Sequence, residues 1–224
     1  MQETRDPSGR MPYRLWYDAA EIDSIMEDEL RKAGSPRLGS TGAIDVDSFI
    51  ESHLHITPQF VRLPAGVQGA TDFFPDGSVE MRISEQLSNR AANSAPGAEH
   101  LMRTTLAHEA AHVLLHRILF LQQSAALFGS QASRRELCRD VRPVGRGYTG
   151  EWWEWQANRG MGALLLPKSE MVAFVRANYE ADAGDNQLVR SVAGRYMVST
   201  QVASLRFDQL TGPTDSSQLS LGFV

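Results

Sequence analysis

His108-Glu109-Ala110-Ala111-His112 decides the reading of this chain. On a helix of about 3.6 residues per turn, positions 108 and 112 project from one face a turn apart, so their two imidazoles can grip one metal ion. Glu109 falls on the flank of that face, where a carboxylate reaches a metal-activated water without becoming a ligand. The surrounding pattern supplies the helix, since helical periodicity runs from about Glu99 to Phe120.

A metal that acts on a substrate needs three protein ligands and an open fourth position. With His108 and His112 as two, the third comes from elsewhere. A metzincin continuation requires glycine and histidine where this chain has Leu115 and Ile118, which excludes that class. A glutamate from a downstream helix, the gluzincin solution, has two candidates in Glu151-Trp152-Trp153-Glu154-Trp155-Gln156-Ala157-Asn158. Glu154 is preferred because Asn158, four residues on, shares its face. The Asn158 side-chain carbonyl can then take the Nδ1–H of a ligand histidine and orient the ring. Glu151 is the second choice and Asp140 the third. His116 extends the motif face by one turn and is a candidate for supporting the ligands or a reaction oxyanion. His53, His55 and His100 read as structural, and Cys138 as a small buried hydrophobe.

Outward from the motif, Asp18 and Glu21 form a capping-box pair for a first helix carrying Ile22, Ile25, Met26 and Leu30, stopped by Gly34 and Pro36. A short helix over about 46–54 opens at Asp45 or Asp47. The period then shifts to strands at 56–63, 69–74 and 79–83, with a strong turn at Pro75-Asp76-Gly77-Ser78. Residues 121–150 carry no clear pattern. A helix over 151–166 ends at Pro167. Two amphipathic segments follow at 169–182 and 187–197, and Ser199 caps a last helix reaching about Leu210.

The chain has 224 residues, enough for one domain with a substantial core, and ordinary globular composition at 42% apolar and 22% charged. A net charge of −5 argues against a surface built mainly for nucleic acid. One cysteine excludes an internal disulfide framework and fits a reducing compartment. With no secretory leader or membrane-length apolar run in view, a cytoplasmic location is the expectation.

Taken together, His108-Glu109-Ala110-Ala111-His112-Val113-Leu114-Leu115-His116, then Glu154-Trp155-Gln156-Ala157-Asn158, then Leu164-Leu165-Leu166-Pro167 resemble the ImmA/IrrE family of metallopeptidases. Val192 to Ser199, Arg206 to Leu210 and the Ile44-Asp45-Val46 segment resemble it too, so the likeness spans roughly residues 15–212. The chain departs from the family at Gly160-Met161-Gly162, where looser packing behind the metal helix is expected, and in a longer stretch between His112 and Glu154.

The resemblance implies an α+β fold: a mainly helical, zincin-like metallopeptidase domain with a small antiparallel sheet of about three strands packed near the motif helix. The corresponding division is a disordered lead-in at 1–12, the metallopeptidase domain at 13–167, a helix-turn-helix-like subdomain at 168–212 and a flexible tail at 213–224. It implies one zinc ion per chain, held by His108, His112 and Glu154, with Glu109 as catalytic base and His116 or Tyr148 stabilising the oxyanion. The expected activity is endoproteolysis of a specific protein, such as a DNA-binding transcriptional repressor encoded nearby. Neither direct nucleic-acid binding nor a membrane partner is expected. The alternative is a protein-binding or DNA-binding regulatory module with a vestigial or conditional zinc site, the 187–210 helix pair serving as the DNA reader.

Overall fold

The computed structural model describes residues 1–6, 13–74, 76–126, 135–139, 152–178 and 185–211. Helices dominate and the strands form two small sheets, an α+β architecture. Asp140, Tyr148, Glu151 and the tail from residue 212 lie outside the described residues.

The chain opens as a hairpin. Strand β1 (Gln2–Arg5) pairs antiparallel with β2 (Tyr13–Trp16), setting Gln2 opposite Trp16. This corrects the disordered lead-in for residues 2–5. Their polarity, which reads as disorder, is matched by distant partners. Arg14 Nε donates to Thr4 Oγ1 at 2.8 Å, and the Met1 amino group pairs with Glu21.

Helix α1 (Ala19–Lys32) begins with the expected reciprocal cap: Asp18 Oδ1 accepts from the Glu21 amide at 2.8 Å, and Glu21 Oε2 accepts from the Asp18 amide at 3.0 Å. Gly34 follows its end at φ +74°, a left-handed position that glycine occupies without strain. A short helix, α2 (Val46–Ser48), capped by Asp45, runs directly into a π-helical turn at Phe49–His53.

Among the described residues the second sheet has four strands: β3 (Gln59–Val61), β4 (Gly69–Phe73), β5 (Val79–Ser84) and β6 (Arg135–Arg139), in the order β3-β5-β4-β6. The expectation of about three antiparallel strands is corrected twice. β6 adds a fourth strand from the unpatterned 121–150 stretch, and β3 runs parallel to β5. The 62–68 connection skips one strand position, and β5 fills it. Alternation along a strand shows which face is buried but not which neighbour it takes.

Ser84 caps helix α3 (Glu85–Ala92), an element with no sequence expectation. Helix α4 (Ala98–Ala126) carries the motif beneath the sheet, where Phe73 of β4 stacks on Phe120 at 4.4 Å between centroids. Helix α5 (Trp152–Leu165) packs along α4, and Ala107, Ala110 and Ala111 of α4 and Ala157 of α5 are all without solvent exposure. Gly160 belongs to this seam. A Cβ added there would stand 2.8 Å from the Ala111 Cβ, so the glycine lets the two helices approach closely, and the expected loosening is corrected.

After Pro167 come α6 (Lys168–Asn178), α7 (Asp185–Tyr196) and α8 (Thr200–Thr211). Ser199 Oγ caps α8 by accepting from the Val202 amide at 3.1 Å. Val192, Tyr196, Val198 and Ala203 join the same apolar core as α1, α4 and α5. Among the described residues no helix is long and apolar enough to cross a membrane.

Candidate metal centre

The motif helix and α5 together build the centre. One turn of α4 separates His108 from His112, and their Nε2 atoms stand 3.1 Å apart. From α5, Glu154 brings Oε2 to 3.3 Å from His108 Nε2 and Oε1 to 3.5 Å from His112 Nε2. All three residues are at most 2% exposed. Their ligand atoms form one convergent cluster, the arrangement a metal ion requires.

The spacing separates two explanations. A charge-assisted hydrogen bond between imidazolium and carboxylate closes to about 2.7–2.9 Å. Donor atoms about 2.0–2.1 Å from a tetrahedral metal stand about 3.3 Å from one another. The two distances to Glu154, 3.3 and 3.5 Å, lie nearer the second value, and the 3.1 Å between the histidine nitrogens is compatible with it. The donor set also fits a divalent cation of borderline softness, with two imidazoles and one carboxylate.

Burial alone would raise the Glu154 pKa. The adjacent imidazoles of His108 and His112 outweigh it and hold the carboxylate well below its usual range. Glu109, wholly enclosed, is shifted the other way. Desolvation pushes its pKa up, against the lowering influence of His108, His112 and the Thr71 hydroxyl. Thr71 on β4 donates to Glu109 Oε2 at 2.6 Å. Gly69, two residues earlier on the same strand, leaves room for the other oxygen: a Cβ there would lie 2.6 Å from Glu109 Oε1. The sheet therefore positions the carboxylate from above while the helix carries it from below.

Behind His112 lies a buried polar chain. His112 Nδ1 is 3.0 Å from His116 Nδ1, His116 Nε2 is 3.0 Å from Gln156 Oε1, and Gln156 Nε2 donates to the Leu15 carbonyl at 2.9 Å. The Trp152 ring meets His116 edge-on at 5.6 Å. Burial, with the neighbouring His112, lowers His116 to about 3, so the ring is neutral. Both its nitrogens are engaged, by His112 and Gln156, which leaves neither ring nitrogen facing an oxyanion.

The role expected of Asn158 is corrected for the ring whose Nδ1 environment is defined, that of His112. Asn158 Nδ2 turns back to the Glu154 backbone carbonyl at 2.8 Å, bracing the helix turn that bears Glu154, and His116 takes the imidazole. Tyr148 and the alternative ligands Glu151 and Asp140 lie outside the described residues. His53 is placed away from the centre, against Glu29 at 2.8 Å.

Thr71, Gly69 and Gln156 were not anticipated. Thr71 and Gly69 reach the site across the sheet and leave no local pattern. Gln156 did leave a signal. It stands among tryptophans and alanines in a helix that is buried nearly all round, where a polar side chain needs a partner.

Searched against models of known protein families the chain matches none, and no curated protein matches it significantly.

Proposed function

We propose that this chain is a zinc-dependent endopeptidase of the ImmA/IrrE, gluzincin-like kind, with a zincin-like catalytic fold. The observation that carries the reading is the convergence of His108 Nε2, His112 Nε2 and the Glu154 carboxylate at metal-spanning distances, beside a buried second glutamate. His108, His112 and Glu154 would hold the ion. When bound, zinc acidifies water and polarises a scissile carbonyl.

Glu109 takes the proton of the attacking water and returns it to the leaving amine. Its burial suits that task, because desolvation strengthens a carboxylate as a base. Thr71 anchors one carboxylate oxygen, so the other swings least and meets the water in a fixed place. The likeness to the family supplies the substrate class, a specific protein such as a DNA-binding repressor.

The DNA-reading alternative finds no support in the side chains of α8. Arg206, the one basic side chain of that helix, is fully buried and bonded to Asp23 and the Leu166 carbonyl, so it offers nothing to a phosphate or a base edge.

The test combines metal analysis with proteolysis of the product of the neighbouring gene. The wild-type chain is expected to carry about one zinc and to cut. His112→Ala and Glu154→Ala are expected to lose the metal. Glu109→Gln is expected to keep it and to lose activity by about 10²–10⁴-fold. Full cleavage by Glu109→Gln would overturn the assigned base, and a wild-type chain that binds no zinc would overturn the reading as a whole.

A further inference from the structure

A histidine can ligate a metal through Nε2 only when its proton sits on Nδ1. A free histidine side chain prefers the opposite tautomer. The ring of His112 therefore needs an instruction, and the buried chain behind it has a polarity that can be read from one end.

Leu15 contributes a backbone carbonyl, which can only accept. Gln156 Nε2, 2.9 Å away, must donate to it, and this fixes which way the amide faces. Gln156 Oε1 then confronts His116 Nε2 at 3.0 Å, and an oxygen can only accept, so His116 carries its proton on Nε2. A neutral imidazole has one N–H. His116 Nδ1 is thus a bare lone pair, and His112 Nδ1 at 3.0 Å must supply the proton between them. His112 Nε2 is left with its lone pair directed at His108 Nε2 and Glu154. His112, His116 and Gln156 are at most 1% exposed, so water does not compete for these bonds.

We propose that His116 and Gln156 are positioning residues that transmit the tautomer of His112 from the Leu15 carbonyl, making metal affinity at the centre depend on the docked amino-terminal hairpin. The hairpin is held to the same helix by a second contact, with Trp16 stacked on Trp155 at 5.3 Å and 5° between planes, and Arg14 over the outer ring at 4.9 Å. Seating the hairpin thus completes the relay. This inference rests on His112 being a ligand, but not on peptidase activity.

The decisive measurement needs no variant. Side-chain ¹⁵N spectra of the metal-free, full-length chain with labelled histidine should show His112 protonated on Nδ1 and His116 on Nε2. A wild-type His112 protonated on Nε2 would overturn the proposal. His116→Phe should return His112 to the Nε2–H form and weaken Zn²⁺ binding by about 10–100-fold, as loss of such support does elsewhere. His116→Gln, whose amide oxygen can still accept from His112, should recover much of both. Gln156→Met should shift the His116 tautomer and weaken Zn²⁺ in the same direction.

A His116→Phe or Gln156→Met chain that is folded by near-ultraviolet circular dichroism and binds Zn²⁺ as tightly as wild type would also overturn the proposal. Should the tautomers be as described in a chain that cleaves nothing, the relay stands and the peptidase reading alone falls.

Discussion

Helix α5 carries two buried charged clusters that answer burial in opposite ways. At its start Glu154 faces His108 and His112 across 3.3 and 3.5 Å. Just over one turn later Arg159 donates to Asp23 Oδ2 at 2.7 Å, while Arg206 from α8 donates to Asp23 Oδ1 at 2.8 Å and to the Leu166 carbonyl at 3.1 Å. The second cluster is closed. Its groups touch at charge-assisted hydrogen-bond distances, and each oxygen of one carboxylate takes one guanidinium. The first is spread wider than hydrogen bonds would draw it, with three donor atoms aimed at one point. Buried charge joins α1, α5 and α8 in one place and gathers a group that could hold a cation in the other.

The comparison breaks most sharply at Asp23. Asp23→Ala strands two arginines in the core and should cost about 3–5 kcal/mol in urea unfolding, with or without metal. Zinc should still raise the stability of that variant above its lowered baseline. Glu154→Ala should do the reverse. In the wild-type chain, free zinc at about a thousandfold over Kd should add about 4 kcal/mol, and this increment should vanish in the variant. A Glu154→Ala chain that keeps the zinc increment would make both clusters merely structural.

A smaller effect is expected at the seam between the two helices. Gly160→Ala sets a methyl 2.8 Å from the Ala111 Cβ and 3.1 Å from Met26 Cε, so α5 must shift. Overpacking of this kind should cost about 1–3 kcal/mol in the denaturation midpoint. The shift would also carry Glu154 away from the histidines and weaken zinc binding, whereas unchanged zinc affinity would show that the triad tolerates movement of the helix. Smallest is Ser199→Ala, which removes the α8 cap and should cost about 1 kcal/mol without touching the metal.

What the sequence disclosed follows the range of the interactions involved. The Asp18–Glu21 box, the Asp45 and Ser199 caps and the i, i+4 histidines are local, and each stands where the residue pattern puts it. Glu154 was reachable because helical spacing narrowed the choice to one face of α5. Partners lying across space were out of reach. Arg14 and Thr4 hold the hairpin from opposite strands, and β3 pairs with β5 although β4 lies between them in the sequence. Asn158 illustrates the limit from the other side: spacing put it four residues from Glu154, and its NH2 donates to the Glu154 backbone carbonyl, while His116 meets the His112 ring.

Gly69 has a consequence for how such a chain drifts over generations. The atoms a new methyl would meet there, Glu109 Oε1 at 2.6 Å and Thr105 Cγ2 at 2.8 Å, belong to side chains and not to backbone. The fold can yield to an alanine by moving the glutamate, whereas chemistry that depends on where that glutamate points cannot. Position 69 is therefore a place where one nucleotide change would retire the proposed activity and leave the architecture standing. A descendant with alanine there would keep every letter of the pentapeptide and lose the chemistry proposed for it.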